Sequence, residues 1–351
     1  MSQLPTLPLI RASFFEPFYL LAKELGSPVE SLMQSLHLPA QMPDESDLLL
    51  PEVQCWKFVQ AIVESEGYTL FGLEATTRNP WTGLSTMQPL FKDCANLYTL
   101  LKRLVYFAPL QSKTSHFALE EESDFIWFVD YSACLLPEQD STQIMVSALL
   151  GMMQLVQTAA GDKWRPAEIH LTIGYSRKIE YAKQLNPSRI LFSQPVMKFS
   201  VPRSLLALPL ANFVKNAHVE EKYFESYEPI ADSFIDQLTA SLIPHLGGGA
   251  VNKKLLADIV EMSPRTLQRR LEQHSSSYST IIDQARFMRA QTLLKTLEIS
   301  LIDISLMLGY QNASSFTRSF RRWCGVSPKE FQLYSRNCSS SSTPTLQKFN
   351  I

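Results

Sequence analysis

At 351 residues the chain is long for one compact domain, and two domains are the expectation. With 45% hydrophobic and 19% charged residues it has the composition of a globular protein, which argues against a chain too polar to build a core. The formal net charge of −2 conceals an asymmetry: residues 1–239 carry 18 Lys+Arg against 27 Asp+Glu, whereas residues 240–337 carry 13 against 7. A basic back behind an acidic front points to a nucleic-acid partner for the back alone.

In chain order, residues 12–36 read as helical, with Ser27 and Pro28 as the N-cap and first position of a second short helix. Glu16, Pro17, Lys23 and Glu24 break the apolar stretch at 14–25, and no later run is expected to reach about 18 apolar residues without charge. Neither a signal peptide nor a spanning helix is therefore predicted, and the expected location is the cytoplasm, away from the membrane. Helices are predicted near 51–66 and 95–107, with 67–89 part loop because of Gly72, Pro80 and Gly83. The alternating, aromatic-rich segments 112–119 and 125–131 predict a hairpin across an acidic turn. A helix over 142–159, a strand over 168–175 and an extended region ending near Val201 follow. Residues 204–243 read as helical with a break near Pro229, and 247–249 is a run of three glycines. From Cys338 the sequence becomes low-complexity and is expected to form a disordered tail.

The C-terminal third carries the chemistry. Ser263-Pro264 and Ser327-Pro328 are helix starts, each an N-cap followed by proline at the first position. In 263–273, Leu267 and Leu271 define a core face, and Arg265, Thr266, Gln268, Arg269 and Glu272 lie around the other. A second unit runs from an amphipathic helix at 300–308 through Gly309 and a turn into a helix with Phe316, Phe320 and Trp323 on one face. Ser314, Arg318, Arg321 and Arg322 lie opposite. Arg and Gln make bidentate hydrogen bonds to guanine and adenine edges, each worth roughly 1–3 kcal/mol of discrimination. Arg318, one turn into its helix, is the best placed for base reading; Arg321 and Arg322, with Lys254 in the first unit, are assigned to phosphates. Residues 278–297 run without Gly or Pro. A helix of about 20 residues spans roughly 30 Å, close to the roughly 34 Å of one DNA turn, so one chain could place two reading helices in adjacent major grooves.

The segment Leu308-Gly309-Tyr310-Gln311-Asn312-Ala313-Ser314-Ser315-Phe316-Thr317-Arg318-Ser319-Phe320, followed by Gly325-Val326-Ser327-Pro328, resembles the signature of the AraC/XylS family of bacterial transcription regulators. The likeness extends over about 100 residues. It implies base-facing positions at Arg265, Thr266, Gln268 and Arg269 in the first unit and at Ser314, Ser315 and Arg318 in the second. Ala313 occupies a position that is often polar in that family. The front of the chain is similar, more loosely, to the family's arabinose-binding-type domain, in Gly72-Leu73-Glu74-Ala75, 99–107, Ile190-Leu191-Phe192-Ser193-Gln194-Pro195 and 202–210.

The expected architecture is an α+β N-terminal regulatory domain (1–230), an all-α domain with two helix-turn-helix units joined by a linker helix (231–337), and the tail (338–351). The expected function is sequence-specific binding of promoter DNA, responsive to a small metabolite in the front domain; the alternative is control without a ligand, by dimerisation, a protein partner or expression level. Trp127, Tyr131, His170 and Tyr175 are the candidate effector contacts. RNA polymerase and a second copy of the chain are candidate partners. No cofactor, metal site or catalytic residue is predicted. The five cysteines are scattered without a Cys-x-x-Cys pair, and no metal-ligand spacing, paired carboxylates or phosphate-binding glycine loop occurs.

Overall fold

The computed structural model describes residues 7–40, 42, 47–92, 94–132, 141–210, 230, 233–247, 251–295 and 299–338. The chain divides into two units, Pro8–Ala231 and a second that begins at Asp232 and takes in Leu7. Leu7 belongs there because its backbone N–H donates to the Gln237 side chain in a buried bond of 2.9 Å.

In the first unit, β1 (Leu9–Arg11) pairs antiparallel with β2 (Leu49–Pro51). Between them lie α1 (Ala12–Glu24) and α2 (Val29–Ser35). Phe15, Phe18, Leu21 and Ala22 recur at helical spacing in α1 and are all buried, so the helix forms to bury this stripe. Ser27 does not cap α2 as expected. Its hydroxyl donates to Glu66 instead, at 3.1 Å, and Pro28 is the boundary residue. After α3 (Glu52–Glu66) comes α4 (Phe71–Arg78), inside the stretch expected to be part loop. Tertiary packing overrides the glycine signal here: Gly72 lies so near the following core helix that a Cβ would come within 1.9 Å of the Gln143 carbonyl oxygen. The Gly72 N–H also donates to the Gln143 side chain at 2.9 Å.

Two short helical turns and α5 (Gln88–Phe91) lead to α6 (Leu97–Gln111), capped by Asn96, whose side chain accepts from the Thr99 N–H. The hairpin β3 (Phe117–Glu121) and β4 (Phe125–Asp130) forms in register, but its first strand starts late, because residues 112–116 are held in a polar turn. Next come α7 (Thr142–Ala160), β5 (Glu168–His170), α8 (Arg177–Glu180), β6 (Arg189–Leu191) and β7 (Met197–Pro202). The strand expected over 168–175 ends at His170. The larger sheet runs β3-β4-β7-β5-β6, antiparallel except for the parallel β5–β6 pair.

Contrary to the sequence expectation, α7 runs 19 residues without a charge and is long and apolar enough to cross a membrane by length and composition. Most of it is buried within the unit, where Met145, Val146, Leu149, Met152, Met153 and Val156 enter the main core. Gly151 is required at that packing, since a Cβ would lie 2.2 Å from the Trp81 ring. A second core gathers around Phe15, Phe18, Trp56, Phe58 and Phe71.

The second unit is all α: α9 (Phe234–Leu242), α10 (Lys253–Ile259), α11 (Pro264–Gln273), α12 (Tyr278–Lys295), α13 (Leu301–Met307), α14 (Ala313–Cys324) and α15 (Pro328–Cys338). Of the helix expected over 204–243, α9 and a short turn at Arg203–Leu205 are present, while 207–210 is not helical. Residues 211–229 and 231–232, two of the three glycines, and the tail beyond Cys338 lie outside the described residues.

Candidate nucleic-acid interface and effector cavity

Each reading helix is fixed by side-chain caps at its own start. Ser263 accepts from the Thr266 N–H at 3.2 Å, and Asn312 accepts from the Ser315 N–H at 2.9 Å. The helix before each one is capped in the same way, by Asn252 and by Ser300. Such a cap is worth about 1 kcal/mol, which matters for helices as short as seven to twelve residues. The turns also correspond. Glu261 (φ 52°) and Gly309 (φ 77°) both adopt the left-handed conformation just after the preceding helix.

On α11, Leu267 and Leu271 are buried, whereas Arg265, Gln268, Arg269 and Glu272 are exposed and Thr266 is half-buried. The Gln268 amide donates to Glu272 at 3.0 Å. On α14, Phe316, Phe320 and Cys324 are buried. Phe320 sits in an aromatic cluster with Phe287 of α12 (5.6 Å), Phe316 (5.7 Å) and Phe331 of α15 (5.5 Å), so the helix is clamped between the strut and the last helix. Opposite this face, Ser314, Arg318, Arg321 and Arg322 are exposed and Ser315 is half-buried. Arg318 lies 3.3 Å from the Ser315 hydroxyl, and Arg322 pairs with Asp283 of α12 at 2.8 Å. Lys254 is exposed on α10. The strut α12 has 18 residues and buries Ile281, Ala285, Ala290, Leu293 and Leu294. At 1.5 Å per residue it spans about 27 Å, somewhat shorter than expected.

The first unit holds a cavity, partly open to solvent, in which the centres of water-sized molecules can occupy about 90 Å³. Phe18 and Trp56 line it from one core, and Trp81, Leu104, Phe107 and Met145 from the other. Its polar lining is concentrated near the end of α6 and the start of the hairpin. Glu52 accepts from Thr114 (2.6 Å), Ser112 (3.1 Å) and Trp56 (3.2 Å). Burial pushes the Glu52 carboxyl up, and these hydrogen bonds oppose the shift. Asp130, 4% exposed at the end of β4, accepts from the Ser132 N–H at 2.7 Å, and burial raises its pKa to about 6. Gln111 is 2% exposed, and neither its amide nitrogen nor its amide oxygen has a hydrogen-bond partner among the described residues.

None of Trp127, Tyr131, His170 and Tyr175 is among the described lining residues of this cavity. The Trp127 ring packs against His170 (5.0 Å) and under the Lys198 ammonium (4.1 Å). His170 is engaged by Glu168 at 2.7 Å. Tyr131 and Tyr175 are exposed and donate to Glu120 and Glu180. Strand alternation separates Trp127 from the cavity, because Phe128 and Asp130 share one face of β4 and Trp127 lies on the other. The missed residues did leave a signal. Gln111 continues the buried stripe Leu97, Leu100, Leu101, Leu104, Phe107, Ala108 of α6, and Asp130 closes an apolar strand.

Cys55, Cys94 and Cys324 are buried, and burial pushes all three thiols above their ordinary value. No cluster of three His, Cys, Asp or Glu able to hold a metal ion occurs among the described residues.

Two capped helix-turn-helix units on a shared strut, in a chain with a separate α+β unit, define a DNA-binding protein with an appended regulatory domain. The comparisons give the family. The model for the arabinose-binding domain of AraC transcription regulators matches residues 26–210, more than half of the chain, and a helix-turn-helix domain model matches 256–333. The chain belongs to the AraC family of DNA-binding transcription regulators. It is similar to the HTH-type transcriptional regulator VirS of Mycobacterium tuberculosis, with 23% identity across 93% of this chain and 97% of VirS. It is 42% identical to VqsM of Pseudomonas aeruginosa over 76 residues, 22% of this chain and 23% of that protein. Among solved structures, the regulator CdpR of Pseudomonas aeruginosa aligns over 92% of this chain and 98% of its own, at 16% identity and a TM-score of 0.38.

Proposed function

We propose that the chain reads promoter DNA through two adjacent major grooves and that a small effector in the first unit's cavity regulates this reading. In the first unit of the pair, Arg265, Thr266, Gln268 and Arg269 face bases; in the second, Ser314, Ser315 and Arg318 do so. Lys254, Arg321 and Arg322 neutralise phosphates, Arg322 after leaving Asp283. The observation that carries the reading is the exposed Arg and Gln face of α11 and the exposed Ser and Arg face of α14, each set over a buried Leu or Phe face. Selection of bound fragments from genomic DNA by the purified chain tests it. A bipartite site with two half-elements about one helical turn apart is expected, and a single short element contradicts it.

The effector reading is supported by the mixed lining of the cavity and by its description as an arabinose-binding-type domain, a label that does not fix the ligand. A fraction of cell metabolites that shifts DNA affinity, with the shift lost when Ala148→Phe fills the cavity, is the expected result. RNA polymerase is the proposed protein partner, in keeping with the exposed Ile302 and Leu306 on α13. Changing both to Glu should leave promoter affinity intact and alter transcription by purified polymerase; unaltered transcription counts against this contact. A homodimer in solution is also proposed, and a concentration-independent monomer mass in ultracentrifugation would contradict it.

A further inference from the structure

The charged side chains among the described lining residues of the cavity are two carboxylates, Glu52 and Asp130; no Lys, Arg or His is among them. Both are at least nineteen-twentieths buried, at 4% exposed each. The Gln111 amide, 2% exposed, also lines the cavity and has both of its polar atoms without a hydrogen-bond partner among the described residues, and such a group is costly to bury unless something meets it. The two carboxylates are joined by a chain of hydrogen bonds, in which the His116 ring meets the Thr114 carbonyl at 3.1 Å. Glu52 is bound by Ser112 and Thr114, the His116 N–H donates to the Ser132 hydroxyl (3.0 Å), and the Ser132 N–H donates to Asp130. Away from this patch the wall is mostly apolar and rich in aromatic rings, among them Phe14, Phe18, Trp81 and Phe107, with Ser141 and Ser147 contributing hydroxyls.

We infer that the effector is an organic amine, with an apolar or aromatic body against the rings and an ammonium head held by Asp130, Glu52 and the Gln111 side-chain oxygen. The inference rests on the effector reading above and adds the chemical class. An ammonium supplies three donors and no acceptor, which matches the two carboxylates and the Gln111 side-chain oxygen, while the Gln111 amide nitrogen is a donor that it does not satisfy. A carboxylate head would meet two buried carboxylates, with no Lys, Arg or His among the described lining residues and His116 acting on Asp130 only from outside that lining. A pentose carries hydroxyls around its whole ring, and most of this wall offers them no partner. The aromatic faces add attraction for a cation and none for an anion.

Titration calorimetry on the full chain with 2-phenylethylamine, 2-phenylethanol, phenylacetate and L-arabinose tests the head group at closely comparable size. The amine should bind at least tenfold tighter than the alcohol, with no measurable heat from the carboxylate or the pentose. Asp130→Asn should weaken the amine at least tenfold and the alcohol less than twofold, a difference that a general structural defect would not produce. Gln111→Leu gives a second reading should Asp130→Asn fail to fold, with the same bias against the amine. A carboxylate or pentose that binds as tightly as the amine overturns the inference, as does amine binding indifferent to both substitutions. Silence from all four probes also overturns it. In that case a metabolite fraction that still shifts DNA affinity, and fails to do so with Ala148→Phe, leaves the effector cavity standing. Without such a fraction, both fall.

Discussion

Asp130 is held against its own chemistry. Its folded pKa of about 6 lies above the ordinary 3.8, so folding favours the protonated form. The sign follows by linkage: this group costs the fold nothing below about pH 4, and stability declines as pH rises from there through about 6. The full loss is on the order of 3 kcal/mol. Asp130→Asn should therefore raise the melting temperature of the first unit at pH 7 and leave it nearly unchanged at pH 4; a lower melting temperature at pH 7 would show the carboxylate to be stabilising. Among the basic residues, Arg269→Ala and Arg318→Ala should each cost roughly 1–3 kcal/mol of affinity for the selected site and relax preference at one base position. Arg321→Ala should weaken all sequences alike and lower the salt slope by about 1. If Arg318→Ala leaves base preference intact, its place among the base readers is wrong. The arginine faces were legible in sequence because helical phase alone separates them from Phe316 and Phe320. The cavity residues were not, because Gln111 and Asp130 each look like the polar end of an apolar element, and burial shows only once neighbouring elements close over them.

The second unit is built from short helices that stop and start themselves. Ser263, Ser300 and Asn312 each satisfy a free N–H of the following helix, and Ser327 and Glu330 form a reciprocal box: the Glu330 carboxylate accepts from the Ser327 N–H at 2.6 Å. Gly309 ends α13 at φ 77°, and a Cβ there would lie 2.5 Å from the Leu246 carbonyl oxygen. Gly309→Ala should accordingly cost more than about 1 kcal/mol in chemical denaturation of the second unit, through both backbone conformation and contact. An unchanged midpoint would mean that the turn relaxes freely. Caps and C-terminal glycine are local in sequence, so this part of the fold could be read in advance. In the first unit the opposite holds: α4 forms because Gly72 and Thr76 fit against α7, and residues 112–116 leave the expected strand because Ser112 and Thr114 turn toward Glu52. Both decisions depend on partners about 60 to 70 residues away, which periodicity does not see.

Across the whole molecule, the charge split follows the division of labour. The excess of acid lies in the stretch that carries the sensor fold, and the excess of base lies with the helix-turn-helix units, where phosphate neutralisation supplies salt-dependent affinity. An effector that binds the folded first unit stabilises it by mass action, so an amine should raise that unit's melting temperature in proportion to the logarithm of its concentration. With a strut of about 27 Å, one chain is proposed to span two successive major grooves. Hydroxyl-radical and base-methylation footprinting of the full chain on its selected site tests this span. Two protected major-groove patches about 10 base pairs apart on one face are expected, with Arg269→Ala weakening one and Arg318→Ala the other; a single patch, or loss of the same patch in both variants, would contradict the span.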